Sequence, residues 1–322
     1  MKLSDSIEQY VVGRHASGLA FERGESNLTA FFRQVGDVDL GQIKTQQVLT
    51  YLNGSETGPI TWRLKYRILF RFFDFWFSRG AMPELLMPPA RAKVRQTFVP
   101  YVYTRAQLRA LLKAAAQNHS PLRSVDQQTF RTFILVLYAT GALVGEVLSL
   151  KHADVNLEAG MMTIRSKSFS RSREIPIGAD LRDVLRKYLA WRSRKRFKST
   201  HLFVTKDDLP ILNRRVNTNF QRLRETARVL RHDGGTYQPR MHDLRYTFAV
   251  HRITSWIRNG ADLNRMLPAL AAYMGQVGLG STERYLSMTP ERFRKELAKL
   301  SPIRGQGHWR NDKVLMAFLE NL

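Results

Sequence analysis

Three side chains in the last third of the chain have the types and spacing to act on a phosphodiester. Met241-His242-Asp243-Leu244-Arg245 sets an imidazole and a guanidinium three residues apart, which on a helix puts them on one face. Both can donate hydrogen bonds to a phosphate's non-bridging oxygens, the guanidinium in its bidentate geometry. Tyr285 follows Arg245 by 40 residues and supplies a hydroxyl able to attack phosphorus. An ordinary phenol has a pKa of ~10, so this chemistry calls for cationic neighbours that lower it and neutralise the phosphorane, and it calls for no metal. His232 and His251 flank His242 in sequence without a carboxylate cluster, so neither a metal nor a cofactor is expected. Taken singly, these residues have plainer readings as a helix-surface pair and a packed tyrosine. The case for a site rests on the set.

The elements that must hold these residues follow from periodicity. Leu28, Phe31 and Phe32 fit one apolar helix face, Gly36 to Asp39 a turn, and Gln46 to Leu52 a short helix closed by Asn53 and Gly54. From Thr61 to Phe77 a 3.6-residue period puts Leu69, Phe72, Phe73 and Trp76 on a core side, and Arg63, Arg67 and Arg71 on a basic side suited to DNA. Met82 to Pro100, with four prolines and Arg91, Lys93 and Arg95, reads as a basic linker. Thr104 and Gln107 make a capping box ahead of the stripe Leu108, Leu111, Leu112 and Ala115, so a new domain opens near residue 101.

Within that domain, Phe130, Phe133, Ile134 and Leu137 define a buried helix broken at Gly141, and Gly145 to Leu150 opens another. Met161 to Ile164 and Glu174 to Ile177 read as strands around the polar turn SKSFSRSR, and a basic helix runs from about Leu181 to Lys198. Val216, Phe220, Leu223, Ala227 and Leu230 mark a core face, with Arg215, Arg222 and Arg224 turned outward. The fold class is mainly α with a small antiparallel β-sheet (α+β). Its parts are a helical domain over 1–81, a linker over 82–100, and a second domain over 101–322 with a helical tail from about 290.

The charge agrees with a polyanionic partner. The 322 residues carry 51 Lys+Arg against 27 Asp+Glu, a formal net charge of +24. Residues 1–100 hold 13 basic and 9 acidic side chains, so most of the excess lies beyond residue 100. A field of that sign concentrates nucleic acid. Solubility alone needs a net charge of only ~2–8 in a small domain. Zero Cys excludes disulfides, thiolate zinc sites and cysteine nucleophiles. The start MKLSDSIEQY lacks a signal-peptide core and the longest apolar stretch, Phe133 to Val144, is too short to span a bilayer, so a cytoplasmic protein without membrane contact is expected.

Read in order, the segments resemble the tyrosine recombinase (phage integrase) family. HDLRYTFA resembles that family's H-x-x-R box, and MGQVGLGSTERYL its L-G-H-(x8)-Y box, with Tyr285 nine residues after Gln276. ATGALVGEVLSLKHADVNL, from Ala139, is similar to its T-G-L-R-x-x-E-x-L-x-L segment, matching at Thr140, Gly141, Glu146, Leu148 and Leu150. PYVYTRAQLRALL resembles the opening of the catalytic domain in mobile-element members. The boxes span about residues 100–290, and the N-terminal region has the length and helical texture of a core-binding domain. The resemblance implies a clamp around duplex DNA and an integrase or transposition role. In it Tyr285 attacks a phosphodiester, forms a 3′-phosphotyrosine and releases a 5′-hydroxyl that joins the partner duplex.

Three positions depart from the pattern. Leu143 stands where the resemblance implies the first catalytic Arg, and Gln276 where it implies a His. The hairpin Lys that would protonate the leaving oxygen is Lys167 counting forward from Ile164, whereas counting back from Arg173 reaches Ser168; Arg165 and Arg171 flank that turn and, with Arg173, are expected DNA contacts. Two functions follow: a recombinase acting as a homo-oligomer or with other recombinases, or a catalytically impaired DNA-binding member serving an active partner. A third, RNA binding, rests on charge alone. The tail through Phe293, Leu297, Leu300, Val314, Leu315 and Phe318 is expected to dock on a neighbouring protomer or on its own domain.

Overall fold

A computed structural model describes residues 1–17, 21–54, 57–91, 99–117, 124–165, 172–232, 235, 237–276 and 285–286. The described residues divide into two compact units, one within residues 1–97 and the other from residue 98 onward.

The first unit is built from α1 (Leu3–Ala16), α2 (Glu22–Val35), α3 (Thr45–Leu52) and α4 (Pro59–Phe77). Its core is aromatic: Phe31, Trp62, Phe72 and Phe73 are buried with Leu3, Leu28, Leu52 and Leu69. Tyr10 receives the edges of Phe21, Phe72 and Phe75 at centroid distances of 5.6, 5.4 and 5.0 Å. The α4 face expected to be buried is buried, and Arg67 and Arg71 are exposed, with Arg63 half-buried. Helix α1 carries no expectation from the sequence although its buried Leu3, Ile7, Tyr10 and Val11 follow helical spacing, because exposed Val12 and buried Ser6 blur the two faces. Met82 and Leu86 are buried in this core, so the first part of the segment expected as linker packs on the unit it follows.

The second unit begins with α5 (Arg105–Ala115), capped as expected by reciprocal bonds between Thr104 and Gln107 of 2.9 and 3.1 Å. It continues through α6 (Gln127–Thr140), α7 (Val144–Leu148), β1 (Val155–Asn156), β2 (Met161–Arg165), β3 (Ser172–Pro176), α8 (Ala179–Arg194), α9 (Asn213–Thr226), α10 (Asp243–Arg258) and α11 (Leu263–Met274). Helix α6 is central and packs against α5, α7, α8 and α10. The sheet is antiparallel in the order β1-β2-β3, with Met162 opposite Ile175 and Ile164 opposite Arg173. Met162, Ile164 and Ile175 point into the core, the alternation that period 2 requires.

Helix α9 corrects two expectations. Arg224 is buried rather than outward, donating to the carbonyl of Pro239 at 3.4 Å, and Leu230 is exposed because α9 ends at Thr226. Among the described residues no helix is long and apolar enough to cross a membrane. The 290–322 tail, Ser168, Lys167 and Arg171 lie outside the described residues.

Candidate active site

The N-terminus of α10 is fixed by a buried acid. The Asp243 carboxylate accepts from the Arg240 backbone N–H at 2.8 Å and pairs with the Arg240 guanidinium at 3.2 Å. The Thr247 hydroxyl donates to the Asp243 carbonyl at 2.8 Å and accepts from the Tyr103 N–H at 3.0 Å, tying the helix to the strap before α5. His242 therefore sits just ahead of α10 and Arg245 at its third position.

Arg245 is buried and bridges two turns. Its Nη1 donates to the Gly141 carbonyl at 2.6 Å and its Nη2 to the Met274 carbonyl at 2.9 Å. Both carbonyls belong to helix ends closed by left-handed glycines: Gly141 after α6 with φ 63°, Gly275 after α11 with φ 67°. A Cβ on Gly141 would stand 2.5 Å from Cδ1 of Phe248, so steric room and φ both demand glycine there. Gly141→Ala should cost about 2–4 kcal/mol, from the left-handed penalty plus displacement of the Phe248 ring. Urea unfolding of the variant measures it, and a midpoint unchanged from wild type contradicts the argument.

Tyr285 lies at this junction, 2% exposed. Its hydroxyl accepts from Gln276 Nε2 at 2.5 Å and is hydrogen-bonded by Arg245. Its ring meets Tyr246 edge-on at 5.4 Å, and Tyr246 meets His242 in the same manner at 5.8 Å, so one aromatic ring, Tyr246, joins the nucleophile candidate to the imidazole. Burial raises the Tyr285 phenol pKa, while the Arg245 charge and the hydrogen bonds from Arg245 and Gln276 oppose it without cancelling it. Burial and the Arg245 charge together lower the His242 pKa. Near neutral pH the site therefore rests with a protonated phenol and a neutral imidazole.

Leu143 stands at the mouth of the same turn, 40% exposed. Its backbone N–H donates to Glu146 at 2.8 Å, capping α7. Glu146 is buried and takes a bidentate pair from Arg173 at 2.8 and 2.9 Å. The Arg173 Nε donates to the Tyr273 carbonyl at 3.0 Å. Arg173, expected among the DNA contacts, thus has its charge compensated inside the protein, and Arg165 pairs with the buried Asp154. Sequence reasoning matched Glu146 to the family segment without giving it a role in the site; its spacing three residues after Leu143 was the signal for the cap.

His251 is not directed toward His242: its Nδ1 is 2.9 Å from the Tyr138 hydroxyl across the α6–α10 interface. Among the described residues no group of three or more His, Cys, Asp or Glu side chains is arranged to hold a metal ion.

Comparison with known proteins gives the family and fold to which the chain is similar. The model of the phage integrase family matches residues 102–292. A putative integrase/recombinase, y4rE, of Sinorhizobium fredii (strain NBRC 101917 / NGR234) is 30% identical over 296 residues, 88% of this chain and 91% of that protein. The tyrosine recombinase XerC of Staphylococcus haemolyticus (strain JCSC1435) is 24% identical over 259 residues, 79% of each chain. Among solved structures, the Tn1549 transposon integrase in complex with a circular intermediate DNA superposes with a TM-score of 0.66 at 16% identity, covering 93% of this chain and all of that one. A lambda integrase dimer bound to a core site gives 0.61 at 17% identity over 88% of this chain and 95% of that chain.

Proposed function

Because the chain belongs to the phage integrase family, we propose that it carries out site-specific recombination on duplex DNA with Tyr285 as nucleophile. The observation that carries this reading is the Tyr285 hydroxyl held by both Gln276 and Arg245 at one helix junction. In the cleavage step the Tyr285 oxygen bonds to phosphorus as its proton passes to solvent, and the bond from phosphorus to the 5′ oxygen breaks. The 5′ oxygen takes a proton and leaves as a hydroxyl, with Lys167 the assigned donor. The resulting 3′-phosphotyrosine keeps the bond energy, and a 5′-hydroxyl from the partner duplex reverses the step on a new strand. Arg245 and His242 donate to the non-bridging oxygens and stabilise the phosphorane. Gln276 takes the position of the family's His, where its amide still donates a hydrogen bond.

The helical unit over residues 1–81 is assigned to DNA binding through Arg63, Arg67 and Arg71, with Arg171 contributing from the second unit and Arg165 through its exposed side, since its guanidinium, unlike that of Arg173, stays more than half exposed while pairing with Asp154. The lambda integrase match is a DNA-bound dimer, and assembly on DNA is proposed here too, with identical or related recombinase chains. A second reading rests on Leu143, whose exposed side chain has no donor to offer a phosphate. On that reading the chain binds DNA and assembles beside an active partner.

Both readings require binding governed by phosphate neutralisation. Affinity for duplex DNA should fall with a log–log salt slope of about −0.9 per phosphate contacted, a loss of about 10³-fold or more between 50 and 200 mM salt if six are engaged. Mobility shifts at several salt concentrations measure the slope. Binding that is absent, or indifferent to salt, removes DNA as the partner.

A further inference from the structure

Arg173 lies on β3, apart from the segments that carry Tyr285, Arg245, His242 and Gln276, and reaches α7 and the end of α11. Its guanidinium grips Glu146 with two bonds, and Glu146 holds the Leu143 N–H at the start of α7. Its Nε holds the last turn of α11 through the Tyr273 carbonyl. The Tyr273 hydroxyl returns a bond to the Pro176 carbonyl at 3.1 Å, so β3 and the end of α11 are tied twice. A Cβ on Gly275 would lie 2.6 Å from Arg173 Nη1, which means the guanidinium is packed flat against the residue just before Gln276. Arg245 makes a second bridge between these segments, from Gly141 to Met274. Two arginines therefore staple the turn after α6 to the turn after α11: Arg245 beside the phenol, and Arg173 one layer away.

We infer that Arg173 is a positioning residue for the nucleophile: by joining Glu146 to the Tyr273–Gly275 turn, it holds Gln276 against the Tyr285 hydroxyl. The inference rests on Tyr285 being the nucleophile. The charge arithmetic favours this over a DNA contact. Arg173 is 18% exposed and Glu146 8%, and a bidentate guanidinium–carboxylate pair at that depth is a neutral unit with its donors already directed inward. Drawing Arg173 onto a phosphate would leave the Glu146 carboxylate buried without its partner, which is strongly unfavourable. Removing Arg173 instead frees the α11 turn, lets Gln276 leave, and admits water to a phenol whose resting state is governed chiefly by burial.

The test uses the full chain with 3-fluorotyrosine placed at position 285 alone, followed by fluorine NMR across pH without DNA, and duplex binding measured separately as a salt titration. For Arg173→Gln the fluorine resonance should move and the phenol's titration midpoint should fall by about 1 unit toward that of the free amino acid. Arg173→Lys, which restores the charge and a single bond but not the bidentate grip, should lie between it and wild type; it also serves as the test variant if Arg173→Gln does not fold. Gly275→Ala, which pushes on Arg173 without touching its charge, should move the same resonance. The salt slope should be the same for wild type and both Arg173 variants. A fluorine titration unchanged by Arg173→Gln overturns the inference, and so does a salt slope smaller by about one contact, which would make Arg173 a phosphate ligand. Absence of DNA binding by every variant would sink the recombinase reading while leaving the fluorine result to decide the positioning role.

Discussion

Tyr285→Phe is expected to abolish covalent capture of DNA while leaving duplex affinity within about threefold of wild type. On a substrate nicked beside the scissile phosphate the departing fragment diffuses away, so each cleavage event is trapped as a protein–DNA adduct. The substitution deletes one oxygen and keeps the ring that fills the contact with Tyr246. Packing at the helix junction therefore survives, and the lost function is the nucleophile itself, a loss of more than about 10⁴-fold in adduct rate. Gln276 and Arg245 each lose an acceptor, which should lower stability by about 1–3 kcal/mol rather than unfold the chain. Denaturing gels of reactions with labelled DNA read the adduct. Tyr246 is the informative control, because its ring lies beside Tyr285 and it is the next phenol able to reach the same space. An adduct that persists in Tyr285→Phe and disappears in Tyr246→Phe would move the nucleophile one aromatic ring along the chain from His242.

Local signals carried much of the fold. The Thr104–Gln107 box, the glycine that ends α6 and the strands β2 and β3 are all decided by interactions close in sequence, so spacing alone exposes them. The basic and apolar faces of α4 separated for the same reason. What spacing did not expose depends on partners distant in sequence. The helical period turns Arg224 outward, but the Pro239 carbonyl draws its guanidinium inside. Met82 and Leu86 sit among prolines that argue for a linker, yet the aromatic core of the first unit leaves an apolar surface for them to cover. At the site, the types and order of His242, Arg245, Gln276 and Tyr285 were legible. That Arg245 is anchored by two backbone carbonyls, and that Arg173 faces Glu146 rather than solvent, was not, since a carbonyl acceptor leaves no trace in a side-chain pattern. The same fact bears on catalysis. On the proposed mechanism the buried Tyr285 hydroxyl has to become accessible to DNA, whereas Arg245 gives one N–H to each of Gly141 and Met274 and keeps further guanidinium N–H groups for a phosphate.

Leu143→Arg is expected to raise single-turnover adduct formation by about 10²-fold, the lower end of what one preorganised donor contributes to an oxyanion-like transition state. Charge grows on the non-bridging oxygens as phosphorus becomes pentacoordinate, and leucine can neither neutralise it nor hydrogen-bond to it. The surroundings allow the replacement. Leu143 has extended backbone angles, φ −72° and ψ 148°, and a side chain 40% exposed, so a longer side chain extends from the turn without displacing the core. Its own N–H keeps the bond to Glu146. Glu146 already accepts both arms of Arg173, so the new guanidinium meets a carboxylate whose charge is compensated and stays available to the phosphate. The gain is held below the upper end of the range, about 10³-fold, because Gln276 still replaces the family's histidine. Adduct yield against time for the two proteins on one substrate, with matched unfolding midpoints, measures it. Slow wild-type cleavage that the substitution accelerates assigns the native chain the accessory role beside an active recombinase. Wild-type cleavage as fast as the variant's would mean that another cation already supplies the charge, and the accessory reading would be withdrawn.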